Sequence, residues 1–273
     1  MLFTDPQPFE QALDSAEVRS ILPTAGNSAQ LRRLGADVLR RAQFSATVQS
    51  VKLLQLEKDV TNAVLSGQMD EATGRLQIKQ LLAEMGYVPD PEAMDGIKDL
   101  SSDVRTNLVI QTSVDTARGF GWYAEGQDPI VLDAFPAQEL YDTAPGDDRN
   151  RRKDVADRWA QCGGQFAGDE MIALKNDPIW QRLADLPDGL GNPYDPLWYN
   201  THWRTRDVDR ARATELELID DNTEILPQSV DLNANLQASP DVRDAELQAL
   251  AESTGVGKFD DAGVFVFNDG GGS

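Results

Sequence analysis

One cysteine, Cys162, and one histidine, His202, are all that this chain of 273 residues holds of either type. A single thiol excludes an internal disulfide and a cysteine-rich metal site, and it suits a reducing compartment. A single imidazole leaves zinc, which takes three or four soft or imidazole ligands, almost without candidates. Positive charge is also scarce. The 25 Lys and Arg stand against 46 Asp and Glu, a formal net charge of -21, and such a chain repels nucleic-acid phosphates unless a local basic patch intervenes. No uninterrupted apolar run approaches the roughly 18 residues of a membrane helix. The N-terminus, Met1-Leu-Phe-Thr-Asp-Pro-Gln-Pro-Phe-Glu10, has neither the basic segment nor the apolar run of a signal peptide or lipidation signal. These absences predict a protein that is soluble or part of a soluble assembly, with no membrane contact and no cofactor.

What is present is a hydrophobic content of 40%, enough to bury a core. After a short helical segment around Phe9 to Ile21 and a break over Pro23 to Asn27, Ser28 is placed as a cap. Leu31, Leu34, Val38, Ala42, Ala46, Leu53, Leu56, Val60 and Val64 then recur at spacings of three and four. That pattern predicts one helix of about 36 residues, about 54 Å long, bendable at Gly35 or over Ser45 to Ser50. Gly67 closes it, Asp70 caps a second helix through Leu82 and Met85, and Gly86 is its left-handed C-terminal residue. Tyr87 to Gly96 is a Pro-containing loop.

A third helix follows, Asp103-Val-Arg-Thr-Asn-Leu-Val-Ile-Gln-Thr-Ser-Val-Asp-Thr-Ala-Arg-Gly-Phe-Gly-Trp122, capped by Ser101 or Ser102. One apolar line runs through Ile110, Val114 and Ala117 and another through Val104 and Leu108, so it packs on more than one side. Gln127-Asp128-Pro129 ends it. Beyond Tyr123 the periods shorten: Asp142 to Asp154 reads as a polar loop and Val155 to Ala160 as a short helix stopped at Gly163-Gly164. Gln165 to Leu174 reads as a hairpin around Ala167 to Glu170. Asp177-Pro178 starts another short helix, Leu186 to Trp203 is an aromatic loop, and Asp207 to Leu218 is helical. From Glu215 onward 13 acidic residues face only Arg243 and Lys258. Ser239-Pro240 opens a helix over Val242 to Ala251, and Val264-Phe-Val-Phe267 suits addition to another chain's sheet edge. The expected architecture is α+β, mainly α: an arm over 1–27, a long-helix bundle over 28–141, a small aromatic-rich α+β region with a short hairpin over 142–214, and an acidic arm over 215–273.

Little of this carries chemistry. His202 has no acid or cysteine beside it, although pairing with Cys162 in space is open. The glycines Gly119, Gly121, Gly163 and Gly164 follow helices, whereas phosphate-binding glycines follow a strand and precede a helix. The pairs Asp147-Asp148, Asp220-Asp221 and Asp260-Asp261 sit in polar stretches. Two basic groups stand out, Arg149 with Arg151, Arg152 and Lys153, and Arg204 with Arg206, Arg210 and Arg212; Asp207 and Asp209 interleave with the second and favour neutralised pairs. Tyr194, Trp198, Tyr199 and Trp203 are the best partner contacts by residue type, with Arg149, Arg151 and Arg152 beside them as candidates. No catalytic, cofactor-binding or metal-binding residue is assigned.

The order of several short segments carries a resemblance. Phe44-Ser-Ala-Thr47, the Gly67-terminated helix, Leu82-Ala-Glu-Met-Gly-Tyr87, the Asp103-to-Thr112 block with Ala117 and Gly121, and Asp128-Pro129 follow one another. Gly164, Phe166, Gly168 to Leu174, Asp177-Pro178-Ile-Trp180 and Asn192-Pro-Tyr-Asp-Pro196 come after them. Over about residues 28 to 215 this order resembles tailed-phage head morphogenesis proteins of the Mu protein F-like family. The family's closing cysteine motif is replaced here by Asn200-Thr-His-Trp203, so no metal or disulfide role carries over. The resemblance implies a non-enzymatic minor head protein acting in capsid assembly near the portal. It also implies portal or major capsid protein as partners, proximity to packaged DNA through the basic groups, and location in the virion head after assembly in the host cytoplasm. The alternative from another class is an acidic interaction or inhibitor protein that mimics DNA.

Overall fold

The computed structural model describes residues 9–27, 31, 42–144, 149–199, 201–220 and 222–228, together with 237–238, 249, 252, 257–259 and 265–267. The fold is α+β and mainly α, with eight helices among the described residues and a three-stranded antiparallel sheet. Two compact units divide the chain, residues 1–117 with 232–273, and residues 118–231.

In the first unit α1 (Glu10–Glu17), α2 (Val51–Leu65), α3 (Glu71–Glu84) and the first part of α4 (Asp103–Gly126) enclose an aliphatic core. Leu54, Val60, Ile78, Ile110, Val114 and Ala117 are among its buried members. The Ile110, Val114 and Ala117 line expected of α4 faces this core, whereas Val104 is exposed. Gly74 lets α3 approach α2, because a Cβ there would lie 2.5 Å from Val60 Cγ1. The caps fall where side-chain chemistry puts them. Asp70 Oδ1 accepts from Thr73 N–H at 2.9 Å, Ser102 Oγ accepts from Arg105 N–H at 3.0 Å, and Gly67 and Gly86 have φ of 74° and 72°. Lys58 Nζ donates to the carbonyls of Glu17 and Arg19, at 2.7 and 2.8 Å, placing a cation at the C-terminal end of α1.

The helix of about 36 residues does not form. Ala42–Gln43 is a strand, β2, parallel to β1 (Ser20–Ile21), so Ile21 also leaves the helix expected around Phe9 to Ile21. Residues 42–48 stay extended or turned because their backbone is bonded to residues 22–26: Leu22 N–H to Gln43 O, Thr24 N–H to Val48 O, and Thr47 N–H to Gly26 O, all within 2.8–2.9 Å. Thr47 has φ of 65°, and a new helix starts only after Ser50, whose Oγ accepts from Leu53 N–H. The periodicity is real after this break, in α2, and tertiary pairing overrides it over residues 42–48. The Ser28 cap and the whole segment from Leu34 to Val38 lie outside the described residues.

The C-terminal residues of this unit include β6 (Gln237–Ala238), β7 (Gly257–Phe259) and β8 (Phe265–Phe267). They form a sheet of order β6-β8-β7. Strand β8 is therefore paired on both sides within the chain, against the expectation that it adds to another chain's sheet. The helix expected over Val242 to Ala251 falls almost wholly outside the described residues.

The second unit holds the end of α4, α5 (Pro129–Ala134), β3 (Ala137–Asp142), α6 (Arg149–Gln161), β4 (Met171–Leu174), α7 (Ile179–Ala184), β5 (Trp203–Val208) and α8 (Arg210–Glu215). Its sheet has order β4-β3-β5, antiparallel throughout, with Leu140 opposite Met171 and Thr205, and Ala137 opposite Leu174 and Val208. Alternation sends Leu140, Met171, Ala173 and Trp203 into one core with α6 and α7, and Ala137, Ile172 and Val208 into another with Ala213 and Ile219. Both faces of this small sheet are covered.

Several local expectations change here. Asp128 ends α4 but also caps α5, its Oδ1 accepting from Ile130 and Val131 N–H. The polar loop expected up to Asp154 is already helical from Arg149, in keeping with the helix propensity of Arg and Lys and the Lys153–Asp157 pair at 2.9 Å. The Ala167–Glu170 turn closes as a bridge, but β4 pairs with β3 instead of folding back on Gln165 and Phe166. Asp207 and Val208 belong to β5, and α8 starts after Asp209, whose Oδ1 accepts from Arg212 N–H.

Candidate functional site

The aromatic segment is the place to begin, because the sequence favoured it. Trp198 and Trp203 are each 5% exposed and Tyr194 6%, and only Tyr199, at 37%, reaches solvent to any extent. Trp159 and Trp180, both fully buried, meet edge to face with centroids 5.5 Å apart, and their indole N–H groups donate to Gln165 O and Leu174 O. The Nε1 groups of Trp198 and Trp203 meet no acceptor among the described residues. Arg158 lies 5.3 Å from the Trp198 ring centroid and holds Asp188 with two hydrogen bonds, at 2.8 and 2.9 Å. Tyr194 packs between Phe120 and Tyr123 of α4, at centroid distances of 5.7 and 5.4 Å.

Beside Tyr194, the backbone of Asp195 passes so close to Gly119 that a Cβ there would fall 1.6 Å from the Asp195 carbonyl oxygen. Asp195 Oδ2 in turn accepts from Thr205 N–H at 2.6 Å and from its hydroxyl at 2.9 Å, tying the segment to β5. Residues 192–203 therefore work as a keystone of this unit, and most of their aromatic area is spent internally.

Three members of the second basic group are ion-paired, though not with the interleaved Asp207 and Asp209. Arg206 pairs with Glu139 at 2.7 Å and lies over Tyr141; Arg210 pairs with Asp133 at 2.7 Å; Arg212 pairs with Glu170 and Glu215 at 2.8 Å. Asp207 instead binds the buried Lys175 at 2.8 Å, and Asp209 is a cap. In the first group Arg149, Arg151 and Arg152 lie on α6; Arg152 is exposed, and the side chains of Arg149 and Arg151 lie outside the described residues.

Cys162 is buried, its Sγ donates to Arg182 O at 3.6 Å, and burial pushes the thiol up from its ordinary range. It is a protonated donor at neutral pH, the reverse of an activated nucleophile. The charges acting on it belong to Arg182, Arg158 and Asp185; His202 is exposed and its carbonyl serves Thr143. Among the described residues no three His, Cys, Asp or Glu side chains cluster to hold a metal ion, and no helix is long and apolar enough to cross a membrane.

Two features escaped sequence reasoning. Glu57, on the inner face of α2, is 5% exposed with no partner for Oε2 among the described residues, and burial raises its carboxyl to about 7 against the partial opposition of Arg105. Arg105 bonds to Ser45 Oγ and Ala46 O, at 2.6 and 3.0 Å, and holds the turn that precedes α2. The other is the loop 86–102, where Val88, Met94 and Ile97 face water; apolar residues without helical or strand period among prolines and acids were its sequence signal.

No family model, curated protein or solved structure matches the chain.

Proposed function

We propose that the chain is a structural, non-enzymatic minor head component of a tailed bacteriophage that acts in head assembly at the portal. The observation that carries this reading is the order of the family-like segments together with what those segments do. Asp128-Pro129 caps α5, Trp180 of Asp177-Pro178-Ile-Trp180 fills the core, and Asn192-Pro-Tyr-Asp-Pro196 packs Tyr194 against α4. Motifs that serve only packing suit a component whose work is shape and contact. The protonated, buried Cys162 and the ion-paired arginines of β5 and α8 give the same support. A net charge of -21 also keeps such a component from adhering to packaged DNA.

Portal protein is the first expected partner and major capsid protein the second, with residence in the virion head. The test is to block expression of the chain during a lytic cycle and count heads by electron microscopy. Loss or gross misassembly of DNA-filled heads, restored by supplying the chain in trans, is expected. Normal yields of filled, infectious heads without it would overturn the assignment.

A further inference from the structure

Residues 86–102 join α3 to α4 without helix or strand, yet their own polar groups hold the loop in one shape. The carboxylate of Asp99, 3% exposed, accepts from Asp95 N–H at 3.1 Å, from Ser101 N–H at 2.8 Å and from the Ser101 hydroxyl at 2.7 Å. Ser102 Oγ donates to Gly96 O at 2.8 Å, and the Tyr87 hydroxyl accepts from Leu100 N–H at 3.1 Å, which draws the two ends of the loop together. A compact loop closed on itself in this way is an Ω-loop, a class that often carries function.

Its apolar side chains are thus presented to water by an ordered backbone. Val88 is 82% exposed, Met94 55% and Ile97 44%, three large apolar side chains carried by one closed loop. Each forgoes the burial that an apolar side chain gains elsewhere, and three of them exposed on one ordered loop among polar residues point to an interaction surface. The exposed charges of the loop are mainly negative: Asp90, Glu92 and Asp95 stand against Lys98, the loop's one cation. A second copy of the chain, an anionic membrane or a nucleic acid would bring negative charge to a mainly negative loop. A cationic segment with an apolar stripe satisfies both features together.

We propose that this loop is a docking surface for a basic amphipathic helix of a partner protein. Its apolar stripe covers Val88, Met94 and Ile97 while its Lys or Arg side chains meet Asp90, Glu92 and Asp95. The surface is defined by the loop alone and does not depend on the virion assignment.

The probe is a fluorescein-labelled amphipathic peptide of leucine and lysine, about 18 residues long and so about 27 Å as a helix. It is titrated with the full chain by fluorescence anisotropy at low and at moderate salt. Saturable binding is expected, weakened about tenfold or more in Val88→Ser/Met94→Ser/Ile97→Ser and about threefold or more in Asp90→Asn/Glu92→Gln/Asp95→Asn. All six positions are exposed, so both variants fold, as unchanged melting curves verify. A third variant, Asp241→Asn/Asp244→Asn/Glu246→Gln, removes the same charge from the C-terminal segment and leaves affinity unchanged. Three results each overturn the proposal: no saturable binding, equal weakening by the loop and C-terminal charge variants, or undiminished binding by the apolar variant.

Discussion

The core of residues 9–117 is aliphatic, helical and encloses a carboxyl, whereas the core of residues 118–231 is built from tryptophan around a sheet with ion pairs at its border. In the first, Glu57 is buried on the same helix as the buried Leu54 and Val60, with one oxygen that meets no partner among the described residues. In the second, the buried Lys175 has Asp207 at 2.8 Å, and Trp159 and Trp180 spend their N–H groups on carbonyls. The lesson is that the two cores have different weak points. The helical core is vulnerable to charge, because an ionised carboxylate there loses its hydration without full repayment. The aromatic core is vulnerable to volume, because large rings and close backbone approaches leave no slack.

Four substitutions test that contrast. Removing a ring from the aromatic core has the largest effect: Trp159→Ala is expected to cost about 3–5 kcal/mol in denaturant unfolding, through lost burial, the cavity and the stranded Gln165 carbonyl. A loss under about 1 kcal/mol would mean that the ring is not close-packed. Adding one methyl group at the closest approach comes next. Gly119→Ala puts a Cβ 1.6 Å from the Asp195 carbonyl, against a backbone atom that cannot rotate away, and is expected to cost about 3 kcal/mol. Chymotryptic cleavage near Tyr194 that does not increase in this variant would break the argument.

The charge-sensitive core is probed by pH. The folded-state pKa of Glu57, about 7, lies above the 4.5 of an ordinary glutamate. The associated stabilisation is therefore fully present below about pH 4.5 and is lost as pH rises through about 7, amounting to about 3 kcal/mol at most. Thermal melts of the parent chain between pH 5 and 8 are compared with those of Glu57→Gln, which cannot ionise and removes this component of the pH dependence. Parallel melting curves for the two proteins across that range would rule out a raised carboxyl. The smallest effect is at the start of α4. Ser102→Ala removes the cap and the bond to Gly96 O, for about 1–2 kcal/mol, and raised amide exchange at residues 103–106 is its local signature.

The same contrast explains what was legible in the sequence. Helices α2, α3 and α4 announce themselves through local periodicity, and their ends through Asp70, Gly67, Gly86 and Ser102, all of which act within four residues. The sheet does not. Ala137–Asp142 and Trp203–Val208 mix buried residues with the charged Glu139, Arg206 and Asp207 and show no clean two-residue alternation. They pair with each other across more than 60 residues of chain, so no local pattern reports it. The over-long helix failed for the complementary reason: residues 42–48 have helical spacing but bond to residues 22–26.

The candidate site followed the same rule. Residue type singled out Tyr194, Trp198, Tyr199 and Trp203, and residue type alone does not distinguish a core ring from a surface one. Burial moves the working surface from those rings to Val88, Met94 and Ile97, modest residues made conspicuous only by exposure.

Quantitative mass spectrometry of purified virions and procapsids, with portal protein as internal standard, tests the assignment most directly. A fixed, low ratio of this chain to portal in procapsids or in both particles is the predicted result. Its absence from both would contradict a role as a head component.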